Sequence, residues 1–141
     1  QLSQSWDQLV NPSGVLVVGN VRIRNINRMN REYGKQFTDH GIKELALSIR
    51  NVMPPKALVM RRFCGHFYFV AHEESRDTAR SRFLVNPLVN QPPYLDAVWT
   101  ILVTPASKVN LDSRDSFLTN AFEILNSFTH EDGQRISIID G

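Results

Sequence analysis

The sequence predicts a single α/β (α+β) domain, with a small mixed β-sheet and about three helices. Three observations carry this expectation. The chain has 141 residues, 42% of them hydrophobic, a size at which one core forms without disulfide or metal staples. Short runs rich in Val, Ile and aromatic residues alternate with longer stretches whose apolar residues recur at helical spacing. Pro, Gly and Asn clusters punctuate the two kinds of segment.

Residues 1–14 read as an N-terminal arm, with Leu2, Trp6, Leu9 and Val10 as docking side chains, and the domain proper covers residues 15–141. Asn11-Pro12-Ser13-Gly14 is a turn signal. Val15–Val18 and Val21–Ile26 read as two strands, and the polar, Arg- and Asn-rich stretch 27–36 reads as irregular. Thr38 or Asp39 caps a helix to about Asn51, because Ile42, Leu45, Ala46 and Ile49 form one apolar stripe. Pro54-Pro55 ends it. Lys56–Phe63 and His66–Ala71 are strands joined tightly at Cys64-Gly65, which predicts an antiparallel hairpin. Glu73–Leu84 is a short charged helix, 86–94 a proline-marked loop, and Asp96–Thr104 a buried strand. Asp112 or Ser113 caps a last helix through Phe128, whose Phe117, Leu118, Ala121, Phe122 and Leu125 keep a helical period. Ile136–Ile139 closes the chain as a strand. The expected order is β-β-α-β-β-α-β-α-β.

Composition excludes several classes. No apolar run approaches the ~20 residues that span a bilayer, so no membrane partner is expected, and no secretory signal pattern follows Gln1. The single cysteine, Cys64, excludes an internal disulfide and a multi-cysteine zinc site, which points to a reducing, cytoplasmic setting. Net charge is only +2, but it is unevenly placed. Residues 1–82 hold 13 Lys/Arg against 7 Asp/Glu, net +6, and residues 83–141 hold 3 against 7, net −4. Two readings are open: a basic part that meets a polyanion, or two parts that neutralise one another inside one domain.

The densest polar cluster is His72-Glu73-Glu74-Ser75-Arg76-Asp77, at an expected strand-to-helix junction where free backbone N–H groups favour anions. Glu73 and Asp77, four residues apart, are candidate catalytic carboxylates. Arg76 and Arg80 on the same helix are candidate phosphate contacts. Arg22 and Arg24 on one strand, and Arg61 and Arg62 on another, are further candidates for a nucleic-acid or phosphate face. The alternative is structural, with acidic residues favouring the helix dipole and Asp77 pairing with Arg80. His66 and His72 share a side of a regular strand and offer the start of a metal site, but the zinc-protease spacing is absent and no metal ligand set is assigned. Cys64 has no partner spacing for nucleophilic catalysis.

The strand Val21–Ile26, the helix Gly41-Ile42-Lys43-Glu44-Leu45-Ala46-Leu47-Ser48-Ile49-Arg50, the Pro54-Pro55 turn, the two following strands and the box Ala71-His72-Glu73-Glu74-Ser75-Arg76-Asp77-Thr78-Ala79 together resemble the ParB/sulfiredoxin-like superfamily over residues 21–126. Ala71, Glu73 and Ala79 match its box. His72 stands where that family has glycine, and Glu74-Ser75 stand where it has the paired arginines that bind triphosphate. The resemblance implies a DNA- or nucleotide-interacting domain of a bacterial plasmid or mobile-element protein, of partition, conjugation-control or nuclease type. It implies Mg²⁺ and a nucleoside triphosphate as cofactors. An enzyme on this scaffold would be a metal-dependent nuclease or nucleoside triphosphatase. The competing expectation is a non-catalytic protein–protein interaction module on a degenerate scaffold. The expected partner is accordingly a nucleic acid or a protein.

Overall fold

The protein is described by a computed structural model covering residues 13–62, 65–90, 92, 94–109, 114–128 and 134–141. Most of the expected arm lies outside these residues, as do Phe63, Cys64 and the expected helix caps Asp112 and Ser113. The elements are β1 (Val15–Ile23), α1 (Ile26–Tyr33), α2 (Lys35–Val52), β2 (Leu58–Arg62), β3 (His66–Glu73), α3 (Arg76–Asn90), β4 (Ala97–Pro105), a short 3₁₀ turn (Ala106–Lys108), α4 (Arg114–Ser127) and β5 (Ile136–Asp140). The strands form one mixed sheet in the order β2-β3-β1-β4-β5. All neighbours are antiparallel except β4 and β5, which α4 joins as a parallel pair. The expected α+β class, single mixed sheet and β2–β3 hairpin are all present.

Strand β1 is central and buried on both faces. Val15, Val17, Val21 and Ile23 point into a core beneath α1, α2 and α3. Leu16 and Val18 point into a second core beneath α4. This strand runs unbroken through Gly19-Asn20, where the sequence predicts a gap between two strands. The cause is cross-strand packing. Phe69 stands directly opposite Gly19, and its ring lies where a Cβ at residue 19 would be, 1.9 Å from it. The ring then stacks on Phe83 and leans on Trp99, with centroids 5.3 and 5.9 Å away.

Helix α1 occupies the stretch expected to be irregular. It fully buries only Met29, with Ile26 packed against the core at its start, so its apolar stripe is short. Tertiary contacts hold its start instead. The Asn25 amide donates to the Tyr94 carbonyl (3.0 Å) and its Oδ1 accepts from the Asp96 amide (2.9 Å). Gly34, with φ at 86°, separates α1 from α2. Helix α3 starts at Arg76, later than expected, because Ser75 caps it: the Ser75 hydroxyl accepts from the Thr78 amide at 3.1 Å. His72 and Glu73 therefore remain in β3. The helix then continues through Pro87 to Asn90, over most of the expected loop.

Candidate functional site

The face of the sheet under α4 changes character along β1. Leu16 and Val18 meet Val70, Leu102 and the apolar residues Leu118, Ala121 and Leu125 of α4. Two and four residues beyond Val18, the same face carries Asn20 and Arg22. Helix α4 ends at Ser127, so a cleft of about 330 Å³ opens there, lined by Asn20, Arg22, His66, Tyr68, Val98, Thr100, Leu125, Asn126 and Phe128. Strand register organises it in two rungs. One places Arg62, His66, Arg22 and Val98 side by side. The next places Met60, Tyr68, Asn20 and Thr100 side by side.

Its hydrogen bonds converge on one atom. The Asn20 amide (Nδ2, 2.9 Å) and the Tyr68 hydroxyl (3.1 Å) both donate to Oδ1 of Asn126, in the last turn of α4. Asn20 is only 6% exposed, and its own Oδ1 has no hydrogen-bond partner. A buried acceptor without a donor is uncommon and energetically unfavourable. His66 packs edge-on to Tyr68, with centroids 6.3 Å apart. Burial, and then the Arg22 guanidinium, push the His66 imidazole below its ordinary pKa, so near neutrality the ring is uncharged and Arg22 supplies the positive charge. No carboxylate appears among the described lining residues.

The residues singled out from the sequence go to different places. Arg22 lines the cleft, and Arg62 shares its rung. Arg24 is engaged at 3.0 and 3.1 Å by the Asp96 carboxylate. Arg61 lies 6.0 Å from the Phe67 ring centroid. Arg76 donates to Asp140 at 2.7 Å, fastening α3 to the end of β5. Arg80 and Asp77 are exposed on α3. Glu73 is 4% exposed and accepts from Arg82 Nε at 2.5 Å, while Arg82 also donates to the Val52 carbonyl. Glu73 and Asp77 thus do not share a helix face, because strand geometry turns Glu73 inward beneath α3. His66 and His72 do share a side of β3, but six residue steps along the strand put them about 20 Å apart, too far for one metal ion. His72 contacts the Ser13 carbonyl at 2.7 Å.

Sequence reasoning missed Asn20, Tyr68, Thr100 and Asn126. The available signal was the period-2 series Leu16, Val18, Asn20, Arg22, in which an apolar face turns polar within one strand.

Neither a family model nor a curated protein matches the sequence, whereas solved structures do match the fold. The chain is similar to the GGDEF domain of DgcB from Caulobacter crescentus in complex with c-di-GMP, at 12% identity and TM-score 0.63, covering 99% of this chain and 85% of that one. It is similar to Vibrio cholerae LapD S helix-GGDEF-EAL bound to c-di-GMP, at 14% identity and TM-score 0.67, covering 98% of this chain and 33% of that one. It is also similar to diguanylate cyclase SiaD in complex with its activator SiaC from Pseudomonas aeruginosa, at 10% identity and TM-score 0.62, covering 91% and 50%. The fold is therefore GGDEF-like, and this overturns the ParB/sulfiredoxin-like resemblance. The partition, conjugation-control and nuclease readings, the plasmid setting, the DNA partner inferred from it and the degenerate ParB-type interaction scaffold fall with that resemblance. The matched run had rested on a helix stripe and a box that this fold uses for packing and for the Glu73–Arg82 pair. The string that gives those domains their name, Gly-Gly-Asp-Glu-Phe, does not occur in this sequence. Among the described residues, no helix is long and apolar enough to cross a membrane.

Proposed function

We propose that this chain is a GGDEF-fold domain of c-di-GMP signalling that binds its ligand without converting it. The observation that carries this reading is the charge of the cleft. Metal-assisted phosphate chemistry needs a divalent cation held by oxygen ligands, chiefly carboxylates. Arg22 and His66 offer no oxygen, and Arg22 repels a cation. Among the described residues, no three His, Cys, Asp or Glu side chains lie together as a metal site. Of the two cofactors expected from the sequence, Mg²⁺ thus does not fit the residues present, and a nucleotide remains as ligand. The c-di-GMP in complex with the GGDEF domain of DgcB supports a guanine nucleotide as the first class to test.

A protein partner is a second reading. The exposed rings of Tyr33 and Phe37, 5.2 Å apart, favour it, and SiaD with its activator offers a parallel on this fold.

The test incubates the purified chain with GTP and Mg²⁺ or Mn²⁺, with product analysis by chromatography and mass spectrometry. No c-di-GMP is expected to form, while calorimetry with c-di-GMP registers binding. Turnover to c-di-GMP overturns the reading.

A further inference from the structure

We infer that the cleft at the end of α4 takes a phosphate-bearing ligand directly on Arg22, with no metal ion between them, and that Asn20 accepts a hydrogen bond from the same ligand. This rests on the reading that the domain binds without converting, and it specifies the chemistry bound. Charge is the first support. Arg22 projects into a cleft whose described lining holds no carboxylate, and Arg62 extends the same rung beyond His66. A guanidinium matches phosphate oxygens in both charge and fork geometry.

The second support is the unmet acceptor. Asn20 Oδ1 is buried without a partner in the cleft wall. Its cover is Asn126, an exposed side chain that collects both the Asn20 and Tyr68 donors. Rotation of Asn126 away from the cleft uncovers Asn20, and an N–H or O–H of the ligand then supplies the missing donor. The third support is size. About 330 Å³ falls in the range of small-molecule sites and exceeds the needs of a bare oxyanion, which leaves room for an organic portion.

His66 reports occupancy. It is faced by Arg22 from β1, Arg62 from β2 and Tyr68 on its own strand, while among the described residues β4 and α4 bring the uncharged Val98, Thr100, Leu125 and Asn126. A phosphate beside it offsets the Arg22 charge, so binding takes up a proton and is tighter at acidic pH.

The experiment follows the His66 ring proton by NMR as pH is varied, in the full chain at low salt with EDTA. Inorganic phosphate, 5′-GMP and c-di-GMP are added separately. The His66 midpoint is expected to rise, and c-di-GMP to bind more tightly at about pH 6 than at about pH 8. Its phosphodiesters do not titrate in that window, so this dependence belongs to the protein. Arg22→Gln is expected to weaken binding about tenfold or more, and Arg22→Lys less. Asn20→Leu is expected to weaken the nucleotides by about tenfold. A response to the nucleotides alone identifies a nucleotide as the source of the phosphate, and a response to all three probes identifies the phosphate itself as sufficient; both support the inference. It is overturned by no response at millimolar probe, by unchanged affinity in Arg22→Gln, or by binding that requires Mg²⁺. Silence of every probe at His66, with c-di-GMP binding still registered by calorimetry and no turnover of GTP, removes this inference alone. Turnover of GTP with EDTA-resistant binding removes only the premise of a non-converting domain.

Discussion

Two polar clusters lie on opposite faces of one sheet, and they differ in how fully their hydrogen bonds are met. Beneath α3, Glu73 is buried and satisfied by Arg82, which in turn ties down the Val52 carbonyl at the end of α2. Beneath the end of α4, Asn20 is as buried as Glu73, yet its carbonyl oxygen has no partner, and no carboxylate is among the described residues that line the cleft with Arg22. The first arrangement is closed. It joins β3, α3 and α2. The second is open, with an unmet acceptor and a guanidinium among its described lining residues, and these are the groups that the proposed ligand would complete. A conspicuous charged motif can thus be structural, while an unremarkable Asn within an apolar strand lines the cleft.

The largest effect that separates the clusters is expected at Glu73. Glu73→Ala strands the Arg82 guanidinium and should cost about 3 kcal/mol, roughly 10 °C in Tm, by thermal denaturation. Residual folded protein should bind ligand as before. Ligand affinity lost in step with Glu73 would merge the two clusters into one site. A smaller effect of opposite sign is expected at Asn20. Asn20→Leu removes a buried acceptor with no donor, so stability should be unchanged or rise by about 1 kcal/mol in urea denaturation. A loss of more than that would mean the cleft is as closed as the Glu73 pair.

The smallest effect is pH-dependent. The His66 pKa is lowered in the folded state, so the unfolded chain binds the proton first as pH falls. The contribution of His66 is therefore fully present above its unfolded value near 6.5 and declines as pH drops from there toward the folded value. His66→Gln should flatten that part of the stability–pH curve, read by denaturant midpoints across the window. An unchanged curve would show that neither burial nor Arg22 shifts the ring.

Much of the fold was legible in the sequence. The α2 stripe of Ile42, Leu45 and Ile49, the β2–β3 hairpin and the α4 period of Leu118, Ala121 and Leu125 each follow from a local pattern that one buried face imposes. Helix α1 was not legible, since only Met29 is buried and its anchoring runs through Asn25 to residues some seventy positions away. The junction at 72–77 misled for a related reason. Whether Glu73 belongs to a strand or a helix decides whether it faces Arg82 or solvent, and the Ser75 cap that decides it is one of several plausible starts. Of the residues that line the cleft, Arg22 and His66 drew attention from the sequence, Arg22 as a phosphate contact and His66 as the start of a metal site. The cleft exists because four separated segments meet, and cross-strand register is invisible to local pattern.

The ring of Phe69 resting on Gly19 has a bearing on how this chain can vary. The two positions share one fixed volume at the centre of the sheet, so neither is free to drift alone. Any homologue that acquires a side chain at the first should carry a small residue at the second. Such paired exchange would be visible in an alignment, and this rung should be among the slowest in the domain to change.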